Sequence, residues 1–548
     1  MNKKEILRII PIGGLGEVGK NMTIYEYGHD ILIVDAGIMF PENDMIGIDY
    51  IIPDFENYLK DKTNRVRGII FTHGHEDHIG AVHHLLELVN APMYATKLTR
   101  GLLEVKLNRY GMSGKADLRT VNAGDRLQIG AFQIDFFHVC HSIPDAVGLG
   151  IETPAGLVVH TGDYKFDHTP TDNWPTDYAM LAEFADRGVL ALLADSTNAT
   201  DPGWTKSERV IDAALDDVFE NAKGRILVAT FASLISRMQQ VADAALRHGR
   251  KIAFTGRSMI DNMKIAREMG YVDFPENLVV SLEKSLTMPD NQVVLMATGS
   301  QGEPRSIMGR LANGTNRKFD IREDDTIILS SQIIPGNEES VYRTINKLFR
   351  RGADVLYEDI APVHVSGHAS QEEMKLLLHL VRPKHLIPIH GELRMFKQHA
   401  KIAEEVGMRK DRIAVVENGQ IIEFKNGEMH LGDRIPGDYI FVDGSGVGDV
   451  DRGIVQEREM LGQDGIVVVN LVINKESGEL VSKPEILTRG FMLSEELDEI
   501  MDDLQSHLQK IVAKSNGNLE NEIIRNLKST LYQETKRNPY IFVTVNRI

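Results

Sequence analysis

Three histidines and an aspartate crowd into one hexapeptide, His73-Gly74-His75-Glu76-Asp77-His78. Imidazole and carboxylate are the ligands that suit Zn²⁺ or Mn²⁺. The run follows Val66-Arg67-Gly68-Ile69-Ile70-Phe71-Thr72, an apolar, β-branched stretch that reads as a buried strand. Such a strand would deliver the cluster on a loop at its carboxyl end, where open metal sites are usually built. A histidine-rich surface turn is the plain alternative, and so dense a set of ligand types argues against it.

Two divalent ions need more donors than this run supplies, and three later strand ends carry them. Phe136-Phe137-His138-Val139-Cys140-His141-Ser142-Ile143-Pro144-Asp145 ends a strand with two histidines. His141 sits at the strand's end before a Pro-containing loop and is the expected ligand; His138 is expected to lie along the strand and pack or hydrogen-bond. Leu157-Val158-Val159-His160-Thr161-Gly162-Asp163 closes on a carboxylate that could bridge two cations. Pro388-Ile389-His390-Gly391-Glu392 adds a late histidine in the same setting. Each alone reads equally well as a core histidine or a turn aspartate. Their joint placement at strand termini points to a metal site.

A decoy lies upstream. Gly14-Leu15-Gly16-Glu17-Val18-Gly19 matches the dinucleotide fingerprint, with Asp35 at a suitable distance. That motif requires a helix after the glycines. Here residues 21–27 are strand-like, and Gly28-His29-Asp30 turns into a second strand at 31–34, so a hairpin is expected and a nucleotide cofactor is not.

The elements that must position these groups belong to a large chain. Its 548 residues suggest roughly three to four domain-sized units. Hydrophobic content of 42% and charged content of 26% are ordinary for a soluble globular protein, with material for more than one core. The single cysteine, Cys140, excludes an internal disulfide framework and fits a reducing cytosol. The amino terminus, residues 1–6, lacks an apolar signal segment, and no run approaches the ~20 apolar residues of a membrane helix. A cytoplasmic protein with no membrane association is expected. A net charge of −18 argues against a general nucleic-acid binder. An acidic enzyme can still keep a basic, metal-lined cleft. Arg305, Arg310, Arg317 and Lys318 cluster, as do Arg343, Lys347, Arg350 and Arg351, and each run reads equally as a solvated helix face.

Residues 1–205 look strand-rich, with one clear early helix at 79–89. From 206 to 368 the rhythm becomes βα alternation, the pattern of a parallel sheet covered by helices. Thr205-Lys206-Ser207-Glu208 has the form of a capping box opening a helix through 222, and Ser370-Gln371-Glu372-Glu373 opens another to about 381. Strands at 386–389 and 413–416 resume the character of the first part, so 206–368 reads as an insertion between 1–205 and 369–445. Residues 446–463, polar and Gly-rich, suggest a linker; 464–548 suggest a small α/β domain with strands at 466–473 and 540–545.

His73-x-His75-x-Asp77-His78, with His141, Asp163 and His390, resembles the motif series of the metallo-β-lactamase superfamily. Asp195 in Leu192-Leu193-Ala194-Asp195-Ser196-Thr197-Asn198, and the pair in His364-Val365-Ser366-Gly367-His368-Ala369, resemble the added motifs of its nucleic-acid-cleaving β-CASP branch. The opening segment 12–21, the Thr298-Gly299-Ser300-Gln301-Gly302-Glu303-Pro304 turn and the carboxyl-terminal domain resemble the ribonuclease J family within that branch. The resemblance spans nearly the whole chain. It implies an α/β fold: an αββα sandwich with an inserted β-CASP α/β domain and a small α/β C-terminal domain. It implies two zinc ions, or manganese, with His73, His75, His141 and Asp163 holding one, and Asp77, His78, Asp163 and His390 the other. Asp77, Asp195 and His368 become the catalytic candidates. The implied activity is 5′-to-3′ exonuclease action on single-stranded RNA with a 5′-monophosphate, plus endonuclease action, in mRNA decay and rRNA maturation. A homodimer or homotetramer is implied, with a paralogue or RNA-decay proteins as further partners, and a structural calcium near Asp49 and Asp443.

Within that frame His368 is the candidate proton donor to the leaving oxygen, since His390 serves as a ligand. A pocket for the 5′-phosphate is expected from His364, Val365, Ser366, Gly367, His368 and Ala369. There backbone N–H groups and the positive end of the helix capped by Ser370 could face an anion. Ser233, ahead of another helix, could add a hydroxyl. The tail segment 494–504 is acidic on its polar face, which suits subunit association better than RNA. Three alternatives stand beside this reading: a small-molecule hydrolase of the same fold, a DNA nuclease of the same branch, and a non-catalytic scaffold pairing with an active paralogue.

Overall fold

A computed structural model of the chain describes residues 6–492, 494–515 and 518–548, without the side chains of 494–499. The initial segment 1–5 and the acidic start of the tail helix therefore lie outside the described side chains. The chain divides into two compact units, one of residues 1–40 and 50–440, the other of 41–49 and 441–548.

The first unit carries an eight-stranded sheet, a six-stranded sheet and a five-stranded sheet. In the six-stranded sheet, successive residues of one strand point into different cores, as the two-residue period of a pleated strand demands. Phe136, Val158 and Leu193 join the core toward the eight-stranded sheet, with Ile70, Phe132 and Ile387. Phe137, Val159 and Leu192 join the opposite core, with Phe184, Leu377 and Leu378 from the helices Tyr178–Arg187 and Gln371–Val381. This is why these strands read as unbroken apolar runs: both faces are covered.

The chain leaves the six-stranded sheet after Val189–Asp195 and re-enters beside it at His385–Ile389, the two strands pairing in parallel. Between them lies the five-stranded sheet, parallel throughout, in the order Lys251–Phe254, Val293–Ala297, Ile226–Ala229, Thr326–Leu329, Asp354–Leu356. A buried pair, Arg225 Nε to Asp325 Oδ1 at 2.9 Å, ties the starts of two of these strands.

The glycine fingerprint opens a hairpin, Met22–Tyr27 against Asp30–Val34, with no helix after the glycines. Several local readings need correction. The early helix is two short ones, Glu76–Ile79 and Val82–Leu88, and a longer helix, Lys97–Arg109, follows. Gly101, a poor helix former, lies within that longer helix; a Cβ there would come within 2.6 Å of the end of the Met269 side chain, which would have to shift. The Thr205–Glu208 capping box does not form. The helix begins at Val210, and Glu208 turns inward, where its buried carboxylate is paired with Arg237 and so not left as an uncompensated charge. Residues 413–416 make only a single bridge, Ile413 to Leu386.

In the second unit, a helix, Arg452–Asp464, occupies most of the stretch expected to be a linker. Ile466–Ile473 is the central strand of a three-stranded sheet, between Glu485–Arg489 and Tyr540–Arg547. Its alternate residues Val467, Val469, Leu471 and Ile473 pack with Leu504, Leu508, Leu527 and Leu531 of the helices Ser494–Lys514 and Leu519–Thr535. Among the described residues no helix is long and apolar enough to cross a membrane.

Candidate metal centre

Topology alone gathers the ligand-bearing strand ends. Gly156–His160, Val189–Asp195 and His385–Ile389 run parallel, so Asp163, Asp195 and His390 emerge at one edge. Phe132–His138 is two antiparallel steps away from Gly156–His160, which points its carboxyl end, and hence His141, the same way. The histidine hexapeptide leaves Val66–Ile70 of the facing sheet.

Ligand atoms within 4.8 Å of one another form the two expected groups, His73, His75, His141 and Asp163, and Asp77, His78, Asp163 and His390, and a third that overlaps them, Asp163, Asp195, His368 and His390. In the first, His75 Nδ1 lies 3.2 Å from His73 Nε2 and 3.1 Å from His141 Nε2. Asp163 Oδ2 stands 3.6 Å from His73 Nε2 and 3.7 Å from His141 Nε2. In the second, Asp163 Oδ2 is 3.1 Å from His78 Nε2, and Asp77 Oδ2 is 3.6 Å from His78 Nε2 and 3.3 Å from His390 Nε2. Ligand atoms about 2.0–2.1 Å from a tetrahedral ion stand about 3.3 Å apart, so both groups have the spacing of a zinc-type shell. One oxygen of Asp163 belongs to both. His390 Nε2 is buried without a well-formed hydrogen bond, as befits an atom placed for coordination.

The opposite nitrogens are held from behind. Asp35 Oδ2 lies 2.8 Å from His78 Nδ1, and Asp35 is fixed by the N–H and hydroxyl of Thr72, each at 2.8 Å. His141 Nδ1 donates to the carbonyl of Gly367 at 2.8 Å. Such partners set the tautomer and aim of a ligand histidine. In the sequence Asp35 has only the spacing of the nucleotide decoy, and nothing there discloses its φ of 62°, rare for a non-glycine residue. Thr72 carries no motif signal either; Asn21, the last residue of the opening segment 12–21, stands with its Nδ2 3.1 Å from His78 Nε2.

Electrostatics divides the histidines. Burial, reinforced by neighbouring imidazoles, pushes His73 and His141 well below their ordinary value and His75 down to about 4, so all three are neutral donors near pH 7. Burial opposes charge on His390 too, but Asp163 and Asp77 outweigh it and raise it to about 10. The same contest leaves His78 well above its ordinary value. Burial also works against ionised Asp77 and Asp163, yet His78 and His390 hold both carboxyls low.

The glycine loop, far from a nucleotide, clamps the ligand segments. Gly16 N–H donates to the carbonyl of Gly391 at 2.9 Å and Asn21 N–H to that of Asp77 at 2.9 Å. His138 is not in the cluster; it stacks on Trp174 at 3.9 Å and bonds the Pro175 carbonyl.

His368 Nδ1 meets Asp195 Oδ2 at 2.7 Å, beside His141 and His390. Ser366 Oγ accepts from Asn198 Nδ2 at 2.8 Å and from the His368 N–H at 3.2 Å, which shapes the 366–369 segment over the cluster. The phosphate-pocket expectation is corrected in part. The first amides of the helix Gln371–Val381 are taken by the carbonyls of Asp201 and Gly203, at 3.0 Å each, so that helix end does not offer them to an anion. Ser233 lies in the turn before the helix Ile235–Arg247, with its carbonyl accepting from Ile235, and its hydroxyl bonds no ligand residue among the described residues. A cavity of about 470 Å³ opens beside His364, Val365 and Ser366, walled also by Asn198, Thr205 and Lys206. In the second unit, Asp49 accepts from the Gly444 N–H at 2.8 Å and Asp443 from Arg458 at 2.7 Å.

The fold and the site define a metallo-hydrolase of the metallo-β-lactamase fold with an inserted β-CASP domain. Four family descriptions match: "Beta-lactamase superfamily domain" over 50–182, "Ribonuclease J, beta-CASP domain" over 223–348, "Zn-dependent metallo-hydrolase RNA specificity domain" over 352–414, and "Ribonuclease J C-terminal domain" over 453–548. The chain is 41% identical to Ribonuclease J2 of Bacillus subtilis (strain 168), covering 100% of both, and it belongs to the ribonuclease J family. It is 39% identical to Ribonuclease J 1 of Streptococcus pyogenes serotype M3, over 98% of this chain and 97% of that one. A crystal structure of a protein of unknown function from Enterococcus faecalis V583 shares the fold, at a TM-score of 0.54 and 15% identity, over 76% of this chain and 100% of that one.

Proposed function

We propose that the chain hydrolyses phosphodiesters of single-stranded RNA with two divalent cations, zinc or manganese, by 5′-to-3′ exonuclease action preferring a 5′-monophosphate, and by endonuclease action, in mRNA decay and rRNA maturation. The observation that carries the reading is the sharing of Asp163 Oδ2 between two ligand groups of tetrahedral spacing, with His368 beside them. When bound, two such ions supply charge that polarises a phosphodiester and lowers the pKa of a nearby water.

The protein's own residues do the rest. His73, His75 and His141 with Asp163 hold one ion, and Asp77, His78 and His390 with Asp163 the other. Asp195 orients His368, whose free nitrogen delivers a proton to the departing 3′-oxygen. The downstream product keeps a 5′-phosphate. Each cut therefore regenerates the preferred end, which favours stepwise shortening. The 366–369 segment, with His364 and Val365 behind it, receives that phosphate. Membership of the family supports a homodimer or homotetramer.

Cleavage of one 3′-labelled RNA bearing a 5′-monophosphate or a 5′-triphosphate, beside a matched DNA, tests this. Progressive shortening of the monophosphate RNA, lost in His78→Ala, is expected. Cleavage of DNA alone would favour a DNA nuclease, and no cleavage with either metal would favour a scaffold. Ser366→Ala is expected to weaken end selection; Ser233→Ala, given its position, is expected to weaken it less.

A further inference from the structure

The inserted domain departs and returns on two chain crossings, near Lys206 and near Ser366, and one buried ammonium holds both. Nζ of Lys165, two residues beyond Asp163, donates to the carbonyl of Lys206 at 3.3 Å and to that of Ser366 at 3.1 Å. Its charge is met by Glu208 at 3.6 Å and Asp167 at 4.0 Å. Glu208 carries the link into the inserted domain, its Oε2 accepting from Arg237 Nη2 at 2.8 Å. Arg237, wholly buried on the helix Ile235–Arg247, also donates to the carbonyl of Val363 at 2.9 Å and to the hydroxyl of Ser330. Gln240 braces the pair, accepting from Arg237 Nε at 2.8 Å and donating to the Glu208 carbonyl at 3.0 Å.

Apolar side chains of similar volume would fill this space without the desolvation that each buried ion must bear. What they could not do is direct three carbonyls, those of 206, 363 and 366, to fixed points. Ser366 is the sensitive one. Its hydroxyl holds the His368 N–H, and the next carbonyl, that of Gly367, holds His141.

We propose that Lys165, Glu208 and Arg237 are positioning residues: a clasp across both crossings that sets the 366–368 segment over the ligand cluster and aligns His368 with Asp163. Its functional consequence rests on the nuclease reading above.

The test uses the full-length chain with Lys165→Met and with Glu208→Gln, each alone and combined with His368→Gln. Bound metal, kcat and KM on 5′-monophosphate RNA, and amide hydrogen exchange of peptides spanning 363–369 are measured. For a misaligned proton donor, kcat should fall on the order of 10- to 100-fold, and KM should rise as well, since the same segment receives the 5′-phosphate. Bound metal should be unchanged, exchange should quicken in 363–369, and the clasp variants should cost nothing further in the His368→Gln background. Losses that multiply with His368→Gln, or unchanged exchange at 363–369 in a folded variant, would overturn the clasp. Should Lys165→Met not fold, Glu208→Gln, nearly identical in shape, decides the matter. A wild-type chain that cleaves no RNA would remove the nuclease reading, while the exchange data would still judge the clasp.

Discussion

Nδ1 of His368 stands 2.7 Å from a carboxylate oxygen of Asp195, a residue 173 positions earlier in the chain. The other oxygen of that wholly buried carboxylate accepts from the Thr197 N–H at 2.9 Å and the Thr197 hydroxyl at 2.7 Å. Asp195 therefore cannot swing away, and the imidazole is held by its back nitrogen with the other left for chemistry. Burial works against a charged His368, but Asp195 outweighs it and raises the imidazole above its ordinary value.

A proton donor in that position makes a direct prediction. His368→Ala should retain its metal and lose on the order of 10²- to 10⁴-fold in turnover, the usual span for one acid–base group. Metal analysis beside single-turnover cleavage checks it, and undiminished cleavage by a folded variant would rule the role out.

The same pair predicts a pH effect. A general acid works only while protonated, so activity should fall as pH rises through the pKa of His368. Asp195→Asn removes the charge that raises that pKa, and the alkaline limb of the rate profile should move to lower pH. A limb that stays in place would show that another group supplies the proton.

Asp35 offers a test of the support behind the ligands. Asp35→Ala frees His78 Nδ1 without touching a ligand atom, and metal affinity should drop about 10- to 100-fold. Competition against a chromophoric chelator reads this out; wild-type affinity would mean that Thr72 suffices to orient His78.

The two ion groups should differ in their coupling to protons. Near pH 7 the histidines of the first group are neutral, with His75 at about 4. His390, raised to about 10, and His78, held well above its ordinary value, are both protonated and must each lose a proton to bind. Affinity of the second group should fall by up to about a hundredfold per pH unit as pH drops, because metal and protons compete for two nitrogens. Calorimetry in buffers of different ionisation enthalpy should show about two protons released for the second ion and almost none for the first.

Gly37 predicts how tightly the scaffold is drawn. A Cβ at this position would lie 1.6 Å from the carbonyl oxygen of Asp77 and 2.1 Å from its carbon. Backbone cannot yield as a flexible side chain can, so Gly37→Ala should displace Asp77 and lower the bound metal toward one equivalent. Two full equivalents in the variant would contradict this.

Much of the site was legible before any fold was known. The donors sit next to strand ends, and both the strand pattern and the donor types are local properties of the chain. His73, His75, Asp77, His78, His141, Asp163 and His390 could be picked out, and His138 set aside, on that ground. The glycine fingerprint could be dismissed because its missing helix is also a local fact.

What the chain could not disclose is whatever depends on which distant segment arrives where. Asp35 looked like a nucleotide decoy until the hairpin brought it behind His78. Glu208 had the spacing of a helix cap until Arg237 came within reach, and the amides after Ser370 looked free until Asp201 and Gly203 covered them. Local pattern lists the groups a segment can offer. Only the packed structure decides which are spent on each other, because a buried polar group binds the nearest complementary partner, however far away it lies in the chain.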